Sequence, residues 1–194
     1  LWTAWFENGR KQREGSFAND KENGMWTAWY ENGKIKDQGF FKDGVMDGLW
    51  KGNYPSGNLS YETNYKDGLR HGNSITYSEN GNKMQDGSFS KGLRNGFWTE
   101  YQQNGQPFES GLYSNNLKHG KWTFFDRHGK PFREQFFLNG RPDGLFIEYH
   151  VNGKKSQQGT YKESNKVGLW IFWNDKGEVI QRMEFDNNGN RIIR

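Results

Sequence analysis

Apolar and polar residues alternate along this chain in short runs, and the runs return every 24 residues without a slip. Counting each repeat from a glycine (Gly24, Gly48, Gly72, Gly96, Gly120, Gly144 and Gly168), position 3 is Trp2, Trp26, Trp50, Trp98, Trp122 and Trp170, with Ser74 and Phe146 as departures. Position 6 is Trp5, Trp29, Tyr77, Tyr101, Phe125, Tyr149 and Trp173, with Asn53 as the exception. Position 18 is aromatic throughout, from Phe17 and Phe41 to Tyr161 and Phe185. Strict alternation over short runs is the signature of strands, because successive side chains leave a strand on opposite faces. A fixed period in this range marks a repeat architecture.

Turn chemistry agrees. Position 10 is glycine in all eight repeats, and Asn-Gly recurs there as Asn8-Gly9, Asn32-Gly33, Asn80-Gly81, Asn104-Gly105 and Asn152-Gly153. Asn-Gly between apolar-containing runs predicts a hairpin closed by a type I′ turn, with positive φ at both residues. The second turn reads as longer and polar, as in Lys42-Asp43-Gly44 through Asp47-Gly48. A helical repeat is disfavoured, since glycine costs about 1 kcal/mol at each helical site and every repeat holds several.

The expected fold is therefore all-β: an elongated, twisted, single-layer antiparallel meander of eight 24-residue β-hairpin repeats. The repeats begin near residues 1, 24, 48, 72, 96, 120, 144 and 168, and 1–194 reads as one domain, because no linker or charge block interrupts the register. Sixteen strands at about 4.8 Å spacing predict a ribbon on the order of 75 Å long. Its terminal strands would be open edges through which copies could associate. Positions 2, 4 and 6 share one face and positions 3, 5 and 7 the other, so both faces carry rings. Either side chains fold over one face, or one aromatic ladder stays accessible.

Composition narrows the picture. Leu, Ile, Val and Phe total 36 of 194 residues, a level that hints at disorder. Nine tryptophans and a net charge of only +4 oppose that hint and fit a thin structure held by stacked rings. No apolar run reaches membrane-spanning length. The chain opens at Leu1 without an initiator Met, which suggests an upstream segment: a signal peptide, a lipoprotein segment or another repeat. The compartment stays open, cytoplasmic or exported. Cysteine is absent, so thiolate metal sites and disulfides are excluded. His71 and His119 recur two repeats apart, roughly 20 Å by strand spacing, so no metal site is expected. Motifs of serine hydrolases, zinc proteases and P-loop enzymes are missing. The reading is non-catalytic, without cofactor.

The repeat G-x-W-x-x-[YW]-x-x-N-G resembles the MORN repeat, and more closely the MORN variant of bacterial proteins labelled YwqK-type antitoxins. Gly96–Gly105 copies it closely, and Leu69-Arg70-His71-Gly72 and Leu117-Lys118-His119-Gly120 look like the end of the consensus. The resemblance spans the chain, with departures at Asn53, Thr63, Ser74 and Gln135. It implies a scaffold fold. As function it implies binding to partners, to anionic phospholipids, or to a toxin that the protein neutralises as an antitoxin or immunity protein.

Two sets of residues are candidate sites. Trp26, Trp50, Trp98, Trp122 and Trp170, with the departures Asn53 and Ser74, form a candidate partner- or glycan-binding ladder. The opposing reading is that these rings pack on one another and on the position 18 aromatics. Lys21, Arg70, Arg94, Lys118, Arg141 and Lys166 recur near the turns and read as a basic edge for lipid phosphate, blunted by Asp43, Asp47, Asp67 and Asp143. The charge is too mild for nucleic acid. The leading expectation is a protein-binding scaffold. Attachment to anionic membranes and carbohydrate binding are the alternatives.

Overall fold

The computed structural model describes residues 1–193, and they form two compact units. The first comprises Leu1–Asn95 with Gln103–Gly105, the second Gly96–Gln102 with the chain from Gln106 onward. The first unit contains strands Trp2–Trp5, Lys11–Ala18, Lys21–Trp29, Ile35–Lys42, Val45–Asn53, Leu59–Lys66, Leu69–Tyr77, Lys83–Ser90 and Leu93–Arg94. The second contains Gly96–Tyr101, Pro107–Ser114, Leu117–Phe125, Pro131–Leu138, Arg141–Tyr149, Lys155–Lys162, Asn165–Trp173, Val179–Phe185 and Arg191–Ile192. Within each unit every strand pairs antiparallel with the next in sequence. The fold is all-β, an antiparallel meander of hairpin repeats, as the alternation predicts. No helix among the described residues is long and apolar enough to cross a membrane.

The two turn types are the reverse of the expectation. At Asn-Gly only the glycine takes a positive φ. Gly9 N–H donates to Phe6 O and Phe6 N–H to Arg10 O, which is a type I turn followed by a left-handed glycine. The asparagine serves through its side chain instead: Oδ1 of Asn8, Asn32 and Asn152 accepts the N–H two residues on, each at 3.0 Å. The two-residue turns with both φ positive lie at the other end of the hairpins, at Asn19-Asp20, Asp43-Gly44, Asp67-Gly68, Asn115-Asn116 and Glu163-Ser164. They are short, not long, because the next strand starts at once.

That early start places the repeat glycine inside a strand. Opposite Glu14 to Ser16 the partner strand runs from Thr27 to Asn23, so Gly24 sits in a bulge, with φ 88°. The same interruption lies opposite Gly39, Asn64 and Phe136. A side chain at this backbone conformation is strained, which explains why position 1 of the repeat is glycine.

Both edges are stitched from repeat to repeat. On the short-turn edge the N–H of Gly44, Gly68, Gly92 and Gly140 donates to the carbonyl of Glu22, Met46, Arg70 and Lys118 at 2.8–2.9 Å. On the Asn-Gly edge the Nδ2 groups of Asn32, Asn58 and Asn152 reach Pro55, Glu79 and Asp175 carbonyls at 2.7–2.8 Å. Tyr30 and Tyr54 hydroxyls donate to Asn53 and Tyr77 carbonyls. Turn carbonyls that would otherwise rely on water are thereby satisfied within the chain.

Candidate functional site

The tryptophan ladder is the core. Trp26, Trp50, Trp98, Trp122 and Trp170 are 0–4% exposed. Each of four of these rings lies over the position 16 glycine of the preceding repeat. A Cβ on Gly15, Gly39, Gly111 or Gly159 would fall 2.1–2.4 Å from the ring of Trp26, Trp50, Trp122 or Trp170. The indole Nε1 then donates to the carbonyl just after that glycine, on Ser16, Phe40, Leu112 and Thr160, at 2.9–3.3 Å. Position 18 rings close the sides edge-on: Phe17 at 5.2 Å and Phe41 at 6.1 Å from Trp26, Tyr113 at 4.9 Å from Trp122, Tyr161 at 5.1 Å from Trp170. Edge-to-face pairs at such distances are favourable contacts. A single-layer sheet thus buries one face by laying flat rings on bare glycine backbone.

The departures from the signature belong to the same device. Ser74 replaces the tryptophan where Thr63 replaces the glycine, and their hydroxyls meet at 2.8 Å, both buried. Phe146 replaces the tryptophan where Gln135 replaces the glycine. The shorter ring leaves room for the amide, and Gln135 Nε2 donates to Phe136 O at 2.9 Å. That carbonyl is the one an indole N–H satisfies elsewhere. Asn53 is half-buried and donates to Ile35 O. Gly52, outside the regular glycine positions, faces Tyr61, whose ring is 2.0 Å from where a Cβ would sit. Burial, with Asp37 nearby, pushes the Tyr61 phenol up to about 12.

The basic set does not line one edge. Lys21 and Arg141 stand at position 22, exposed beside the short turns. Arg70, Arg94, Lys118 and Lys166 stand one residue later, and in a strand one residue reverses the face. Lys118 Nζ lies 4.1 Å from the Trp122 ring centroid and Lys166 Nζ 4.1 Å from that of Trp170. Arg70 covers Phe89 at 4.9 Å. Lys118 also pairs with Glu109 at 2.6 Å, and Arg94 donates to Gln85 at 3.3 Å. These cations roof the aromatic face, an arrangement favourable both as cation–π contact and as cover.

The opposite face keeps apolar residues on its surface. Register pairs Met25 with Phe40 in the first unit and Phe97 with Leu112 in the second. In the first unit Met25 is 58% exposed and Leu49 is exposed at the same repeat position; in the second Phe97 is 60% exposed, with Leu145 and Leu169 exposed likewise. A shallow groove recurs beside the Asn-Gly turns. In the second unit it holds about 520 Å³ between Pro131, Phe132, Tyr149 and Val151, and in the first about 310 Å³ between Phe6, Gln12 and Trp29. Sequence reading did not single out either feature, although positions 2 and 17 of the repeat carry the row.

Among the described residues no group of three or more His, Cys, Asp or Glu is placed to hold a metal ion. His150 bonds Trp173 O at 2.9 Å and His71 accepts from Lys91 N–H.

A repeating hairpin whose recurrent glycines set backbone geometry and whose recurrent tryptophans pack on them is a non-enzymatic β-scaffold. The chain belongs to the family described as MORN repeat variant, whose model matches residues 22–43, 46–67, 70–91, 118–139 and 142–163, more than half its length. The segment Gly96–Gly105, the close copy of the motif, lies outside the matched residues yet opens the same kind of hairpin. No curated protein matches the chain. The crystal structure of TcdB2-TccC3-TEV aligns with 96% of it at 10% identity and a TM-score of 0.23, too loose a likeness to argue from. The chain spans 12% of that protein's length.

Proposed function

We propose that this protein is a scaffold that holds a partner protein against the face opposite its tryptophan ladder. The observation that carries this reading is the exposed apolar row headed by Met25–Phe40 and Phe97–Leu112. The chain has buried the tryptophans of its other face from Trp26 onward, so aliphatic and phenylalanine side chains left in water at matching repeat positions are spare for contact. Contiguous exposed apolar surface is characteristic of interaction sites. The row varies from repeat to repeat, with Asn64, Asn73 and Ser88 in its path, which gives a partner a specific pattern to read. Neutralisation of a toxin, as an antitoxin or immunity protein, is the form of partner binding this reading favours.

The membrane alternative is less favoured, because three of the six basic candidates, Arg70, Lys118 and Lys166, lie over rings. The carbohydrate alternative needs accessible rings, and the ladder is buried.

The test is affinity capture with tagged protein from source cells, washed at low and high salt, beside a Met25→Glu/Phe97→Glu variant. A stoichiometric protein retained at high salt by the wild type and lost by the variant supports the scaffold reading. Salt-labile recovery of anionic lipid alone, equal for both proteins, overturns it.

A further inference from the structure

Positions 14 and 23 of the repeat lie on neighbouring strands over the aromatic face, and their charges answer each other. Arg13 pairs with Glu22 at 2.7 Å, with its guanidinium 4.4 Å from the Trp26 centroid. In the fifth repeat the pair is reversed, with Glu109 bound to Lys118 at 2.6 Å. In the following repeat the same two positions are Arg133 and Pro142. The arginine has kept its place and lost its carboxylate.

Arg133 is stacked and half-buried. Its Cζ lies 3.9 Å from the Phe124 centroid and 5.7 Å from that of Phe132. Its Nε is buried and has no hydrogen-bond partner among the described residues. Glu148 is its register neighbour on the next strand, but Glu148 accepts a hydrogen bond from the Gln157 amide and makes no ion pair with Arg133. The surrounding charges on this face are Lys118, already paired with Glu109, and Lys166 over Trp170. A guanidinium fixed by an aromatic face, with its Nε sealed and no acceptor on its outer Nη groups among the described residues, presents those Nη groups to a planar, two-oxygen anion.

We propose that Arg133 is a docking point for a carboxylate of the protein partner, an aspartate, a glutamate or a chain terminus, which takes the place that Glu22 fills for Arg13. This rests on the protein-binding reading and adds a second, polar contact on the tryptophan face. Proline at 142, the register partner of Phe137, keeps the place open because its side chain carries no acceptor.

The test uses the full chain labelled with ¹⁵N-arginine, following the Arg133 Nε–H resonance, assigned with Arg133→Gln. The titrants are a short capped peptide alternating glutamate with glycine, its glutamine counterpart, and inorganic phosphate. The expected result is a saturable shift with the glutamate peptide and none with the glutamine peptide. Pro142→Glu, which supplies the carboxylate within the chain, abolishes the shift, while Pro142→Gln preserves it. Other repeats carry non-proline residues at this position, so both variants suit the backbone. No saturable shift in the wild type, or a shift that survives Pro142→Glu, overturns the proposal. Saturation by phosphate at lower concentration than by the glutamate peptide overturns it in favour of a phosphate site. For a captured partner, Pro142→Glu weakens binding about tenfold, the scale of losing one charge-assisted hydrogen-bonded contact. A partner held equally tightly by that variant removes this site and leaves the scaffold reading standing. A successful titration with no protein partner captured does the reverse.

Discussion

The Thr63 and Ser74 hydroxyls lie 2.8 Å apart at the place where, one repeat earlier, Trp50 lies flat on Gly39. Tryptophan over glycine, serine beside threonine and phenylalanine beside glutamine are three solutions to filling one volume on a single-layer sheet. Each also answers for the polar atoms it buries. The pairing joins position 16 of one repeat to position 3 of the next.

Adding one methyl beneath a ring therefore costs stability. In Gly111→Ala the new Cβ would lie 2.4 Å from Trp122, a distance that forces the indole off its seat and strains its hydrogen bond to Leu112 O. Overpacking of this kind destabilises by about 1–3 kcal/mol. Urea unfolding followed by tryptophan fluorescence measures it.

The compensated pair behaves differently. Gly111→Gln with Trp122→Phe reproduces the Gln135–Phe146 arrangement, in which the amide takes over the indole's donor role. The double variant is expected to be more stable than the sum of its two single changes by about 0.5–3 kcal/mol, as for residues sharing one space. A four-protein mutant cycle by urea unfolding checks this, and strict additivity would refute the volume-sharing account.

One short turn carries avoidable strain. Ser164 holds φ 73° where Gly44, Gly68, Gly92 and Gly140 stand in other repeats. Its N–H still donates to Pro142 O at 2.8 Å, so the backbone is fixed by stacking. Ser164→Gly keeps that bond and relieves the left-handed side chain, for an expected gain of about 0.5–1 kcal/mol net of glycine's entropy. A rise in the thermal midpoint is the readout.

Tyr61 sets an alkaline limit. Its phenol is pushed up to about 12, first by burial and then by Asp37, above the usual value near 10. Its folded-state pKa exceeds the unfolded one. The stabilisation is thus fully present below about pH 10 and is lost as pH rises toward 12. Unfolding free energy measured across that window should fall, and Tyr61→Phe should flatten the slope. Burial also raises the phenols of Tyr77, Tyr149 and Tyr161, so phenolate absorbance of the folded protein should show a late-ionising fraction that the variant reduces by one tyrosine.

Most of the fold is legible in the sequence because period and alternation report directly on strands. The position 18 aromatics and the tryptophans pack together as one of the two readings of the ladder requires. The turns are the exception, with the two-residue positive-φ turns at the end opposite Asn-Gly. Asn-Gly suits a type I′ turn and equally a type I turn closed by a left-handed glycine, and the dipeptide alone does not choose. The short turns hide because Glu163-Ser164 and Asn19-Asp20 lack the expected glycine while still adopting positive φ. The basic set misled for a reason of parity: Lys21 and Lys118 differ by one place in the repeat, which is invisible to a reading by proximity and decisive in a strand. Arg133 was missed because its signal is a missing partner, legible only once positions 14 and 23 are known to touch.

The tryptophan–glycine pairing also limits how such a gene can gain or lose repeats. The hairpin looks like the unit of exchange, but the interlocking residues straddle its boundary. A deletion that kept Thr63 and discarded Ser74 would seat a threonine beneath the next tryptophan, whereas a breakpoint near the Asn-Gly turn would carry each pair across intact. Arrays of this kind should lengthen and shorten in a frame offset by half a hairpin from the one the eye picks out.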